Sequence, residues 1–136
     1  AGRLDGPAAQ VDAMPAGPEL DAMIAIEVMG WHTSPFGKGW LDDSGRCVAA
    51  TETNMGFHFR PSTNITDVWF VVEKMCGEKI EFGIESCVRE SIEWIVSFTL
   101  YDANDILVWH EVTCDTTAPL AICRAALMAV RVRKAK

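Results

Sequence analysis

The sequence predicts an α+β domain: an antiparallel sheet of about four to five strands sandwiched by helices in αβα layers. Three observations carry that expectation. Apolar residues recur at three- and four-residue steps in three separate stretches, the signature of helices with one buried face. Stretches rich in Ile, Val, Phe, Trp and Tyr, residues that suit strands, lie between them. Turn residues join neighbouring strands, and the resulting order of helix, two strands, helix, three strands and helix fits helices packed on an antiparallel sheet.

The first helix is read from Leu20, Met23, Ile24, Val28 and Trp31, with Pro18 suited to its first turn and Gly30 to its stop. Gly39-Trp40-Leu41 and Cys47-Val48-Ala49 flank Asp42-Asp43-Ser44-Gly45, which supplies turn residues and a glycine for positive φ, so a short hairpin is expected there. The second helix follows the capping side chains of Pro61-Ser62-Thr63-Asn64. Its stripe of Ile65, Val68, Trp69, Val72, Met75 and Cys76 ends at Gly77, and the phase places Trp69 and Cys76 in the core. Lys79 to Ser86, Ser91 to Tyr101 and Ile106 to Val112 read as three strands of a meander, the last two joined by Asp102-Ala103-Asn104-Asp105. Asp115-Thr116-Thr117 then precede the third helix, whose apolar positions are Leu120, Cys123, Ala126, Leu127 and Val130 and whose last turn is basic.

At 136 residues the chain suits a single core, and 49% hydrophobic with 23% charged residues is ordinary globular composition. Residues 1–17, rich in Ala, Gly and Pro and not starting with Met, are expected to be a flexible extension or a leftover of cloning, leaving residues 18–136 as the domain. The formal net charge of -7 disfavours duplex nucleic acid as a partner, although Arg131, Arg133, Lys134 and Lys136 gather at one end. No run approaches the roughly 18 apolar residues of a membrane span, so no membrane partner is expected. With no secretory pattern at the N-terminus, the expected compartment is the cytoplasm of a bacterial host.

Cys47, Cys76, Cys87, Cys114 and Cys123 are odd in number and irregular in spacing, so free thiols are expected rather than disulfides or a zinc site. His110-Glu111 resembles half of a metal site but lacks its Pro-Cys-x-x-Cys complement, and His32 and His58 have no partner at ligand spacing. No metal and no cofactor are expected. Cys114, beside a helix start, is the one candidate nucleophile, and it stands against the simpler reading of a strand-end cysteine near a helix cap. Neither a Walker pattern nor a dinucleotide fingerprint occurs, and Glu81 and Glu85 read as solvated charges on one strand face; no catalytic residue is assigned.

Chemistry is densest in His58-Phe59-Arg60-Pro61-Ser62-Thr63-Asn64, where Arg60 brings a guanidinium to the mouth of the second helix and Ser62, Thr63 and Asn64 supply polar caps. A phosphate there is one reading. The other is structural: Thr63 or Asn64 caps the helix and Arg60 pairs with an acid. Arg124 interrupts the third helix, facing either solvent or a shared ligand pocket. Trp40, Trp94 and Trp109 are candidates for stacking a base, for subunit contact or for the core.

Three ordered motifs carry a resemblance: Val28-Met29-Gly30-Trp31; Phe59 to Asn64 leading into Trp69 and Val71-Val72-Glu73-Lys74-Met75; and Thr117 to Leu127. Together they resemble the phage ABA-sandwich domain over roughly Leu20 to Val130, and more distantly the lambdoid phage NinX proteins. The resemblance implies a phage or prophage origin and αβα layers. The general build is also similar to that of Thoeris anti-defence sponges, which implies a homo-oligomeric, non-enzymatic binder of a phosphorylated small molecule such as a cyclic nucleotide messenger. Arg60, Ser62, Thr63, Asn64, Arg124 and Trp109 are then the expected ligand contacts. The alternatives are an interaction module that binds a host protein and a small phosphoester- or nucleotide-cleaving enzyme.

Overall fold

A computed structural model describes residues 11, 13–34, 39–50, 58–88 and 90–135. Helix α1 (Pro18–Met23) opens on proline with Glu19 and Asp21 in its first turn, then widens into a π-helical turn over Ile24–Val28. There the Met29 N–H donates to the Ile24 carbonyl at 3.0 Å. Apolar residues spaced strictly by four, as Leu20, Ile24 and Val28 are, drift off a 3.6-residue turn, and the wider turn keeps them on one buried side. Gly30, at φ 76, ends the helix where the sequence expects it.

Strands β1 (His32–Thr33), β2 (Gly39–Leu41) and β3 (Cys47–Ala50) form one antiparallel sheet in that order. The expected hairpin is β2–β3. Its turn is tied by Asp42, whose Oδ1 accepts from the Ser44 and Arg46 backbone N–H groups at 2.9 and 3.0 Å, and Gly45 takes the left-handed conformation at φ 83. Helix α2 (Ile65–Gly77) begins at Asn64, whose side chain accepts from the Asp67 N–H at 3.0 Å. The chain then reverses through Lys79 at φ 65.

Strands β4 (Ile80–Val88), β5 (Ile92–Tyr101) and β6 (Leu107–Asp115) form the expected meander as a second antiparallel sheet. The β5–β6 turn repeats the β2–β3 design: Asp102 Oδ1 accepts from the Asn104 and Ile106 N–H groups at 2.8 and 3.0 Å, with Asp105 left-handed at φ 62. Helix α3 (Ala118–Ala135) completes the described chain.

Two three-stranded sheets thus replace the single sheet of about four to five strands. The hairpin pairs with His32 and Thr33 instead of joining the meander, because side-chain alternation fixes which face of a strand is buried and not which strand lies next to it.

Ile80, Val96, Phe98, Trp109 and Thr113 share the β4–β6 face that packs on helices, and the Thr113 hydroxyl donates to the Ala121 carbonyl of α3 at 2.6 Å. Helix α3 lies across β5 and β6, α2 lies against β4, and the π-helical turn after α1 packs on α2 and α3. From Ala121 to Val130 every α3 residue except Arg124 is buried, so this helix is enclosed on all sides. The other face of β4–β6 carries no helix among the described residues.

Three expectations change. Trp69 is 51% exposed rather than core, because Val68, Val71, Val72 and Met75 form the inner stripe of α2 and Trp69 lies beside it, its ring edge-on to Phe82 at the rim of the core. Cys76 is exposed for the same reason, whereas Cys123 is buried as expected. The boundary after residue 17 does not mark where packing begins: Val11 is fully buried, and the Met14 carbonyl accepts from Arg124. Residues 1–10 and 12 of the expected extension lie outside the described residues, as does Lys136.

Candidate functional site

The loop before α2 is a junction of polar groups, and carboxylates fill it. Asp67, in the first turn of α2, accepts from the Arg60 backbone N–H at 2.9 Å. Asp21 of α1 accepts from the Ser62 N–H at 2.8 Å, and the Ser62 hydroxyl accepts from the Gly17 N–H at 2.9 Å. Asn64 is the helix cap. The N–H groups of Arg60 and Ser62, in the loop where the sequence suggests a phosphate, are therefore turned to the protein's own acids. Burial pushes the Asp21 carboxyl above the usual range and the charge of Asp67 adds to the rise, while hydrogen bonds from Ser62 and the charge of Arg60 oppose it. The Arg60 and Thr63 residues themselves are exposed; Ser62 is buried.

Arg124 is elsewhere engaged. Its guanidinium pairs with Asp115 at the end of β6 and donates twice to the Met14 carbonyl, at 2.6 and 3.3 Å, so it fastens the segment before α1 to α3. Trp109 is buried on the helix-facing side of β6, which removes its ring from any surface stack; among the described residues neither its Nε1 nor the buried Nε2 of His58 has a hydrogen-bond partner. Trp40 is also buried, and Trp94 is half-buried. Arg131 holds Glu27 through two hydrogen bonds of 2.9 and 2.8 Å, and this pairing keeps the Glu27 carboxyl below its usual range.

All five cysteines are free. The Cys114 thiol lies 3.2 Å from a Glu93 carboxylate oxygen, and that contact pushes it up from the ordinary thiol value, opposite to the depression a helix start would give. On the same open face of β4–β6, the Thr99 hydroxyl lies 2.7 Å from His110 Nδ1, beside a shallow depression of about 480 Å³ whose floor includes Gly83 and Ser97. Among the described residues no three His, Cys, Asp or Glu side chains group as metal ligands, and no helix is long and apolar enough to cross a membrane.

What the sequence reading missed is the outward face of α2. Ile65 and Phe70 are 57% and 44% exposed, and with Trp69, Thr66 and Glu73 they line an open depression of about 460 Å³. The signal was present: Ile65 and Trp69 form an i, i+4 pair beside the Val68, Val72 and Met75 series, one apolar residue set too many for a single buried stripe.

A family model, the phage ABA sandwich domain, matches residues 22–127, well over half of the chain. No curated protein and no solved structure matches.

Proposed function

The chain belongs to the phage ABA sandwich domain family, and on that premise we propose that it is a non-catalytic phage accessory protein that binds a host protein through α2. The observation that carries this reading is the exposure of Ile65, Trp69 and Phe70 on one helix whose inner face is already filled. Large apolar side chains clustered outside the core are the residues that anchor interfaces. Glu73 at the rim and a net charge of -7 suit a partner segment with apolar anchors flanked by Lys or Arg.

The messenger-sponge reading draws its support from the exposed Arg60 and Thr63. Against it stand Asp21 and Asp67, which occupy the neighbouring N–H groups, and Asp115, which neutralises Arg124. A cleaving enzyme that used Cys114 as its nucleophile would need an activated thiol, and Glu93 acts on that thiol in the opposite direction.

The test pairs two measurements on the wild type and on a Trp69→Asp, Phe70→Asp double variant. Immobilised wild type should retain a discrete partner from bacterial host lysate that the double variant releases, and calorimetry with cyclic dinucleotides and cyclic ADP-ribose isomers should give no binding heat. Stoichiometric nucleotide binding would replace the proposal with the sponge reading. Retention of the same partner by the double variant would remove α2 as the surface.

A further inference from the structure

Strand β4 is an edge of its sheet: it pairs with β5 on one side, and among the described residues no strand lies on the other. Its helix-facing side is apolar beyond the reach of the helices. Ile84 is 42% and Val88 69% exposed, and Ile92, directly opposite Val88 on β5, is 55% exposed. The second edge, β6, differs, because its helix-facing Trp109 and Thr113 are buried under α3. Natural edge strands are kept short, charged or covered. Here a nine-residue strand has no neighbour beyond it among the described residues, with Ile80, Phe82, Ile84 and Val88 on the helix side and Glu81 and Glu85 on the other.

We propose that β4 is a self-association strand, pairing antiparallel with β4 of a second copy about a two-fold axis at Ile84. Charge excludes the registers on either side, and Ile84, the midpoint of Ile80–Val88, is the axis that pairs the whole strand. An axis normal to the sheet keeps the faces matched, so it must pass through a residue, and residue i then faces a residue of equal parity in the mate. Centred on Gly83, Glu81 would face Glu85 of the other copy; centred on Glu85, that residue would face itself. Like charges directly opposite destabilise both. Centred on Ile84, Glu81 faces Cys87 and Glu85 faces Gly83, while the helix side pairs Ile84 with Ile84, Ile80 with Val88 and Phe82 with Ser86. That arrangement covers Ile84 and Val88 and joins two three-stranded sheets into one of six strands, an isologous interface of the commonest symmetry. The β4 edge adjoins the outward face of α2, since Trp69 packs edge-on to Phe82, but the pairing is argued from β4 alone.

Sedimentation velocity of the full chain tests this, with circular dichroism as a fold control. The wild type should sediment as a dimer. Ile84→Lys, which sets two ammonium groups against each other at the axis, should sediment as a monomer with an unchanged spectrum. Ile84→Cys should form an intermolecular disulfide on mild oxidation beyond the wild-type background from the native thiols, whereas Ile92→Cys, off the axis, should not. A wild type that stays monomeric at its highest soluble concentration overturns the proposal. So does an Ile84→Lys protein that remains dimeric, or an Ile84→Cys protein that fails to cross-link, the latter deciding the matter even if the lysine variant does not fold. A monomeric Ile84→Lys protein that still captures the α2 partner would separate this surface from that of the proposed function.

Discussion

Replacing Asp21 separates the worth of an acceptor from the cost of a charge. Its Oδ1 takes the N–H of Ser62, a residue 1% exposed, at 2.8 Å. Asp21→Ala leaves that donor buried without an acceptor, and such a loss costs about 1 to 3 kcal/mol. Asp21→Asn keeps an oxygen in the same place and removes the buried charge, so at neutral pH it should lie within about 1 kcal/mol of wild type. The carboxyl is raised in the folded state above its value of 3.8, chiefly by burial. The folded chain therefore holds more of this proton than the unfolded chain in a window that starts at 3.8 and extends up to the raised value. Across that window the contribution of Asp21 to stability falls as pH rises, and above it the ionised group is a net cost. Urea unfolding of wild type and Asp21→Asn at a series of pH values isolates the effect, because the opposite slopes of other carboxylates cancel in the difference. The advantage of wild type over the amide should be greatest at low pH and shrink or reverse as pH rises. An Asn variant as damaged as the Ala variant, or a difference that grows with pH, would refute the reasoning.

Phe98→Ala should cost about 3 to 5 kcal/mol, since the ring is fully buried and packs on Phe82 at 5.4 Å, while Trp69→Ala should cost only about 1 to 2. Equal losses in urea unfolding would mean that Trp69 is covered in solution. Glu27→Gln breaks a partly exposed two-point pair with Arg131 and should cost about 1 kcal/mol at neutral pH. Because the folded Glu27 value lies below 4.5, that stabilisation is present in full above 4.5 and is lost as pH falls through the folded value, so the unfolding midpoints of variant and wild type should converge in acid.

Local chemistry was legible from the residues. Asn64 caps α2, Gly30 stops the first helix, and both aspartate turns form where the turn residues stand, because each depends on contacts within a few positions. Nonlocal partners were not legible. Nothing in the spacing of Asp21 and Ser62 announces their hydrogen bond across 41 positions, nor that of Arg124 with Met14 across 110. The loop before α2 was therefore read without the acids that close on it. Trp69 shows the same limit on one helix: adjacent apolar stripes fit the same periodicity, and only the packing partner decides which is inside.

The enclosure of α3 also orders events during synthesis. Translation delivers β4, β5 and β6 before Ala118–Ala135, yet the face of that sheet bearing Val96 and Phe98 is covered largely by this last helix. While the ribosome still holds those residues, the nascent meander is a greasy three-stranded ribbon with both margins open, the kind of intermediate that chaperones hold and proteases find. A stop codon or frameshift ahead of Ala118 would thus leave a sticky fragment rather than a shortened but working protein, and stalling within the α3 codons would prolong the same hazard.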